Sequence, residues 1–116
     1  MARKSGFDEG NLPEAAFFIL LALKQTRHGY SIMQFLEERT GGLVAIGPAS
    51  LYTTLKKLVD AGLIEEVSAS DDGERRRSYR ITDKGMAVAA TNVERREQLV
   101  AAAQNLLTET DGENNV

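Results

Sequence analysis

With 116 residues, the chain has room for one domain with a modest core, plus an arm that needs a partner to cover its apolar side. It contains no cysteine and a single histidine, which excludes disulfides, thiolate metal sites and a cysteine nucleophile, so neither a metal nor a cofactor is expected. The net charge of −3 is acidic where a nucleic-acid-binding domain is often basic, yet Glu109, Asp111 and Glu113 near the C-terminus account for the whole excess.

The first ten residues are polar and glycine-containing and are expected to form a flexible arm, residues 1–10. Asn11 is placed to cap a helix whose third residue is Glu14, a capping-box spacing that tolerates Pro13 in the first turn. From Ala15 to Leu23 every residue is apolar, so this helix, expected to run to about Gln25, belongs at the centre of the core or between subunits. Arg3 and Lys4 lend the segment a superficial likeness to a secretory signal, but Asp8, Glu9 and Glu14 intervene and no small-residue cleavage site follows. The apolar run is also far shorter than the roughly 20 residues a membrane span needs. No membrane association is expected, and the absence of disulfides suits a cytoplasmic location.

Thr26 to Gly29 reads as a short break. A second helix is expected from about Tyr30 to Arg39, with Ile32, Met33, Phe35 and Leu36 inward and Gly41-Gly42 as its stop. Leu43 to Ile46 is β-prone and predicts a short strand. Gly47-Pro48 then opens a third helix over 48–61, where proline loses nothing by lacking an N–H. Leu51, Leu55 and Leu58 recur at helical spacing and face a core. The opposite side carries Ala49, Ser50, Thr53 and Lys57, with Tyr52 and Lys56 at the margins. These are small, hydroxyl-bearing or cationic groups, which suit a helix lying in a DNA major groove, although a solvated helix face has the same composition.

Gly62 stops that helix, and Leu63 to Ser68 and Arg76 to Ile81 read as two strands of a hairpin. Asp72-Gly73 supplies the positive φ angles of its turn. Tyr79 and Ile81 share one face of the second strand, with Arg76, Ser78 and Arg80 on the other. Arg75, Arg76, Arg77 and Arg80 form the densest basic cluster, and either phosphate or the nearby Asp71, Asp72 and Glu74 would neutralise it. Thr82 can cap a last helix from Asp83 to about Leu107. Its apolar positions Met86, Ala89, Val93, Val100, Ala103 and Leu107 step by three and four like a coiled-coil seam, with Arg96 a misfit upon it. Residues 108–116 are polar and acidic, an expected disordered tail.

A slender polar helix followed at once by a β-ribbon reads as the recognition helix and wing of a winged helix-turn-helix. The expected fold is mainly α with a small β-hairpin (α+β): a winged helix-turn-helix over 11–81 and a C-terminal dimerisation helix over 82–107. No catalytic constellation is present. His28 has no acid or nucleophile near it in sequence, and no glycine loop is built to cradle phosphate.

Three separated motifs bring a family into view. They are His28-Gly29-Tyr30-Ser31-Ile32, then Gly47-Pro48-Ala49-Ser50-Leu51-Tyr52 continuing through Leu55, Leu58 and Gly62-Leu63-Ile64, then Arg75-Arg76-Arg77-Ser78-Tyr79-Arg80-Ile81-Thr82 closing with Gly85. In this order the chain resembles the PadR family of bacterial transcriptional regulators in its short form, over roughly residues 14–107. The resemblance implies a homodimer that binds double-stranded DNA at an inverted-repeat operator and usually represses. Ser50, Tyr52 and Thr53, followed along the helix by Lys56 and Lys57, would lie in or beside the major groove. Tyr30 would lie near the backbone, and the wing, 69–80, with Arg75, Arg76, Arg77 and Arg80, at phosphate or the minor groove. Phe17 and Phe18 with Met86, Ala89, Val93, Val100, Ala103 and Leu107 would form the dimer interface, where some relatives hold a small-molecule effector. Many relatives have glycine at the place of Ala49 and proline at that of Thr53, which here adds a hydroxyl and an N–H. The competing reading is a winged-helix adaptor that binds protein without specific DNA contact, which the near-neutral charge favours.

Overall fold

The apolar run after Pro13 forms α1 (Glu14–Ala22) in the computed structural model, which describes residues 6–67 and 77–110. Ala16, Phe17, Ile19, Leu20 and Ala22 are all buried, as a helix without a polar side requires. Both ends differ from the sequence expectation. Pro13 rather than Asn11 takes the N-cap position, at an extended ψ of 154° and with no side-chain cap, so the helix starts only at Glu14. Asn11 is exposed and its N–H donates to the Asp8 carbonyl at 2.9 Å. The helix stops at Ala22, short of Gln25, because tertiary partners claim the next carbonyls. Ala22 O accepts from Arg27 Nε at 2.8 Å, and Leu23 O accepts from Ile81 N at 2.8 Å.

The expected break holds a strand instead. Here β1 (Arg27–His28) pairs antiparallel with β3 (Ser78–Ile81), and β3 pairs antiparallel with β2 (Ile64–Val67), giving the order β1-β3-β2. The register sets Arg27 opposite Tyr79, Glu65 opposite Arg80 and Glu66 opposite Tyr79. Conversely, the strand expected at Leu43 to Ile46 does not form. Val44 is buried in the core and its N–H donates to Thr40 Oγ1 at 2.9 Å, so a local hydroxyl takes the place of a ladder partner. The hairpin turn at Asp72-Gly73 lies outside the described residues, as do Arg75, Arg76 and the tail beyond Thr110.

The helix-turn-helix proper is α2 (Gly29–Arg39) and α3 (Pro48–Asp60). Ile32 and Leu36 of α2 are buried and Met33 and Phe35 partly so. Pro48 stands at the start of α3 behind Gly47, and Leu51, Leu55 and Leu58 are fully buried. Gly62 takes a φ of +77° after α3 and lets the Leu63 N–H return to the Leu58 carbonyl at 3.0 Å, which turns the chain into β2.

Thr82 caps α4 (Asp83–Thr108) as expected. Its hydroxyl accepts from Gly85 N at 3.0 Å and donates to Gly62 O at 2.7 Å. A Cβ at Gly85 would collide with the Leu63 carbonyl oxygen and meet Ile81 Cγ1 at 2.7 Å, so glycine is what brings α4 down onto the sheet. Only Gly85, Ala89 and Asn92 of this 26-residue helix are buried. Asn92 accepts from Leu12 N at 2.8 Å and donates to Glu9 O at 2.9 Å and to Val88 O at 2.8 Å. Arg96 is no misfit. It donates to Asn92 Oδ1 at 3.2 Å and to Leu12 O at 2.9 Å, and its guanidinium lies 4.1 Å from the Phe17 ring centre. The chain ahead of α1 is thus fastened to α4 before residue 11. Phe7 packs against the core, and Glu9 lies 3.5 Å from Lys84 Nζ.

Replacing Asn92 by alanine strands the buried Leu12 N–H and takes a donor from the half-buried Glu9 carbonyl. The expected loss is about 1–3 kcal/mol in urea unfolding. Gly85→Ala is expected to cost at least as much, because the obstructing atom is backbone and cannot step aside. A loss no larger for either than for a surface substitution would contradict this packing.

Candidate nucleic-acid interface

Helix α3 has one face against the core and the other open. Ala49, Ser50, Thr53, Lys56 and Lys57 are all exposed, and Tyr52 is 51% exposed. Among the described residues Lys56 has one loose partner, Asp60 Oδ2 at 3.7 Å on the same helix, and such an exposed pair leaves the cation available. Tyr30, near the start of α2, is 60% exposed.

Between α3 and the sheet runs an open groove of about 390 Å³, lined by Tyr52, Lys56, Val59, Asp60, Glu66, Arg77 and Tyr79. The fold therefore brings Tyr52, Lys56 and Arg77 together. Arg80 stands on the opposite sheet face from Tyr79, because side chains alternate along β3. Sequence reading missed the partners of the wing cations. Glu66 Oε2 lies 3.4 Å from Arg77 Nε, and Glu65 Oε2 accepts from Arg80 Nε at 2.8 Å. The register sets Glu65 opposite Arg80 and Glu66 opposite Tyr79, two residues from Arg77; sequence proximity had pointed to Asp71, Asp72 and Glu74, which lie outside the described residues. Arg75 and Arg76 lie outside the described residues. His28 sits in β1, its Nδ1 3.0 Å from Ser78 Oγ, in a structural contact with the wing strand.

The residues expected at a dimer interface divide in two. Phe17 and Ala89 are already buried by this chain's own core, and Phe18 is partly so, its ring edge-on to Phe17 at 5.0 Å. Met86, Val93, Val100 and Leu107 are 43%, 40%, 55% and 83% exposed, Ala103 is exposed too, and Leu99 and Leu106 add to the apolar surface. An apolar groove of about 500 Å³ lies along this part of α4, lined by Phe17, Val93, Arg96, Glu97, Val100, Ala101 and Gln104. Among the described residues no cluster of histidine and carboxylates is placed to hold a metal, and no helix is long and apolar enough to cross a membrane.

Two helices in a helix-turn-helix, a three-stranded sheet with a hairpin wing, and an α4 that leaves the domain define a winged-helix protein of the transcription-regulator class. The model of the transcriptional regulator PadR-like family matches residues 19–91, and the chain belongs to that family, whose members are transcriptional regulators rather than enzymes. Solved structures agree on the fold. A PadR family transcriptional regulator from Eggerthella lenta superposes with a TM-score of 0.74 at 22% identity, covering 83% of each chain. A PadR-like transcriptional regulator from Bacillus cereus gives 0.66 at 26% identity, over 83% of this chain and 93% of the other. Bacillus subtilis PadR in complex with operator DNA gives 0.59 at 26% identity, over 66% of this chain and 45% of that longer one. No curated protein matches the sequence.

Tyr79 supplies a test of the groove that needs no ligand. Its phenol is held above the ordinary value of 10.0, first by burial and then by the Glu66 carboxylate, against the opposing pull of Arg77. A raised folded value means stability that is fully present below about pH 10 and is lost as pH rises through the raised value, since the unfolded chain ionises first. Tyr79→Phe is expected to flatten the fall in urea midpoint above about pH 10. An unchanged slope would remove Tyr79 from this coupling.

Proposed function

We propose that this protein is a homodimeric, sequence-specific DNA-binding repressor acting in the cytoplasm. The observation that carries this reading is the uncovered face of α3, where Ser50, Thr53, Lys56 and Lys57 stand exposed beside a groove that ends on the wing strands. A slim helix bearing hydroxyls and cations fits a major groove about 12 Å wide, and backbone contacts from Tyr30 and the wing would fix its register. The likeness to a PadR bound to operator DNA supports the same placement.

The unit over 11–81 would read DNA and the helix over 82–107 would pair the subunits. The exposed apolar stripe of α4, Met86, Val93, Val100 and Leu107, is left uncovered by the described residues and suits the same stripe of a second copy. Two-fold pairing would set two recognition helices roughly 34–36 Å apart and call for an inverted-repeat operator. The groove beside Phe17 and Val100 would lie at that interface and is where a small-molecule effector would bind.

Footprinting on DNA around the protein's own gene tests the whole reading. Protection of an inverted repeat, and lower transcription from it in vitro when protein is added, are expected. Protection of nothing, with capture of a protein partner through α3, would favour the winged-helix adaptor.

Assembly is tested on α4 itself. Cutting the chain after Gly85 would remove Ala89 and Asn92 from the core, so the informative variant is Val100→Glu with Leu107→Glu at exposed sites. It is expected to fold, to sediment as a monomer, and to lose operator affinity. A dimeric variant would overturn the interface.

The wing cations make an electrostatic prediction. Each phosphate contact contributes about 0.9 to the slope of log affinity against log salt. Glu65→Gln with Glu66→Gln frees Arg80 and Arg77, so affinity for any duplex is expected to rise and the slope to steepen. An unchanged slope would exclude both arginines from DNA contact.

A further inference from the structure

Gly29 opens α2 directly after β1 and is buried. A Cβ placed on it would stand 2.9 Å from Tyr52 Cε1, 3.0 Å from the Tyr52 hydroxyl oxygen and 3.2 Å from Cζ. The outer half of the Tyr52 ring therefore rests on bare backbone, closer than any side chain at this position would permit. Backbone conformation does not ask for glycine here: Gly29 is absent from the glycines of positive φ, and alanine is the better helix former. The ring, where it lies here, is what leaves no room for a side chain at this position.

The backbone under that ring is a junction. β1 ends at His28 and is paired with β3, so Gly29 lies where the wing sheet passes into the helix-turn-helix. The ring itself belongs to α3, and on its exposed side it lines the groove with Lys56, Glu66, Arg77 and Tyr79. One aromatic side chain thus spans from α3 to the β1–α2 junction, and through β1 to the base of the wing. An aromatic ring has few rotatable bonds, so a ring pinned at its far end transmits position well.

We propose that Gly29 is a positioning residue for sequence recognition: it is the seat on which Tyr52 lies, and this contact fixes α3 relative to the wing. The proposal rests on the DNA-binding reading above. It assigns a reason to glycine at position 29 and gives Tyr52 a role in alignment as well as contact. Gly29 itself touches no base.

The test uses the full-length chain, the footprinted operator and a scrambled duplex of equal length. The variants are Gly29→Ala, Tyr52→Ala and the two combined. A methyl at position 29 meets the end of a movable side chain rather than backbone, so Gly29→Ala is expected to keep its melting temperature while moving the ring. Operator affinity should fall on the order of tenfold, with little change on the scrambled duplex. Tyr52→Ala should lose at least as much, and the double variant no more than Tyr52→Ala, because an empty seat holds nothing. Additive losses, wild-type affinity in Gly29→Ala, or its failure to fold would each overturn the proposal. The Gly29 Hα resonances provide a readout free of DNA. They should be displaced by the ring current and return to ordinary values in Tyr52→Ala, and the absence of any such change would overturn the seat. A wild-type chain that prefers no duplex would overturn the DNA-binding reading, with the resonance shift still deciding the contact.

Discussion

A helix with no polar side has to be covered on every side, and α1 is such a helix. Its residues Phe17, Ile19 and Leu20 cannot face water without losing the main favourable contribution to folding, on the order of 1.5–3 kcal/mol for each large side chain. α2, α3 and α4 all pack on it. That requirement turns Leu51, Leu55 and Leu58 of α3 inward and so leaves Ser50, Thr53 and Lys57 outward. The surface proposed to meet DNA is thus a consequence of how α1 is buried.

Thr82 and Gly85 set where α4 begins, and the domain leaves the helix's far half bare. Gly85 and Ala89 let the helix come close to the domain, and Asn92 with Arg96 ties it to the segment ahead of α1. Arg96 also lies over the ring of Phe17, so a cation on an apolar stripe serves as packing. Past Arg96 no residue of α4 is buried, although Leu99, Val100, Leu106 and Leu107 would all favour cover. A 26-residue helix is about 39 Å long, much more than so small a domain can shield. The first part of α4 belongs to the fold and the rest is available to a partner.

Electrostatics on the wing follow from register. Glu65 and Glu66 pair with Arg80 and Arg77, so the described base of the hairpin is neutral in pairs, while on α3 Lys56 has only its loose exposed partner Asp60 and Lys57 is exposed beside it. A chain of net charge −3 can still present a positive face, because acidic groups that neutralise one strand do nothing to the helix beside it.

The sequence by itself determined the elements whose cause is local. Periodic leucines, Gly47-Pro48 at a helix start, Gly62 at its end and Thr82 before α4 each act within a turn or two of themselves, and α2, α3, the hairpin strands and α4 stand where those signals put them. Motif order was enough to place the chain in its family. Tertiary structure decided what depends on residues far apart. Arg27-His28 became a strand only because β3 offered partners, and Leu43 to Ile46 did not because Thr40 satisfied Val44 first. Arg96 looked out of place until Leu12 and Phe17 were brought beside it, and the register set Glu65 across from Arg80 and brought Glu66 near Arg77, where sequence proximity had offered Asp71, Asp72 and Glu74. The contact of Tyr52 with Gly29 left no trace in either local pattern, because it joins the starts of two helices that only the packed core brings together.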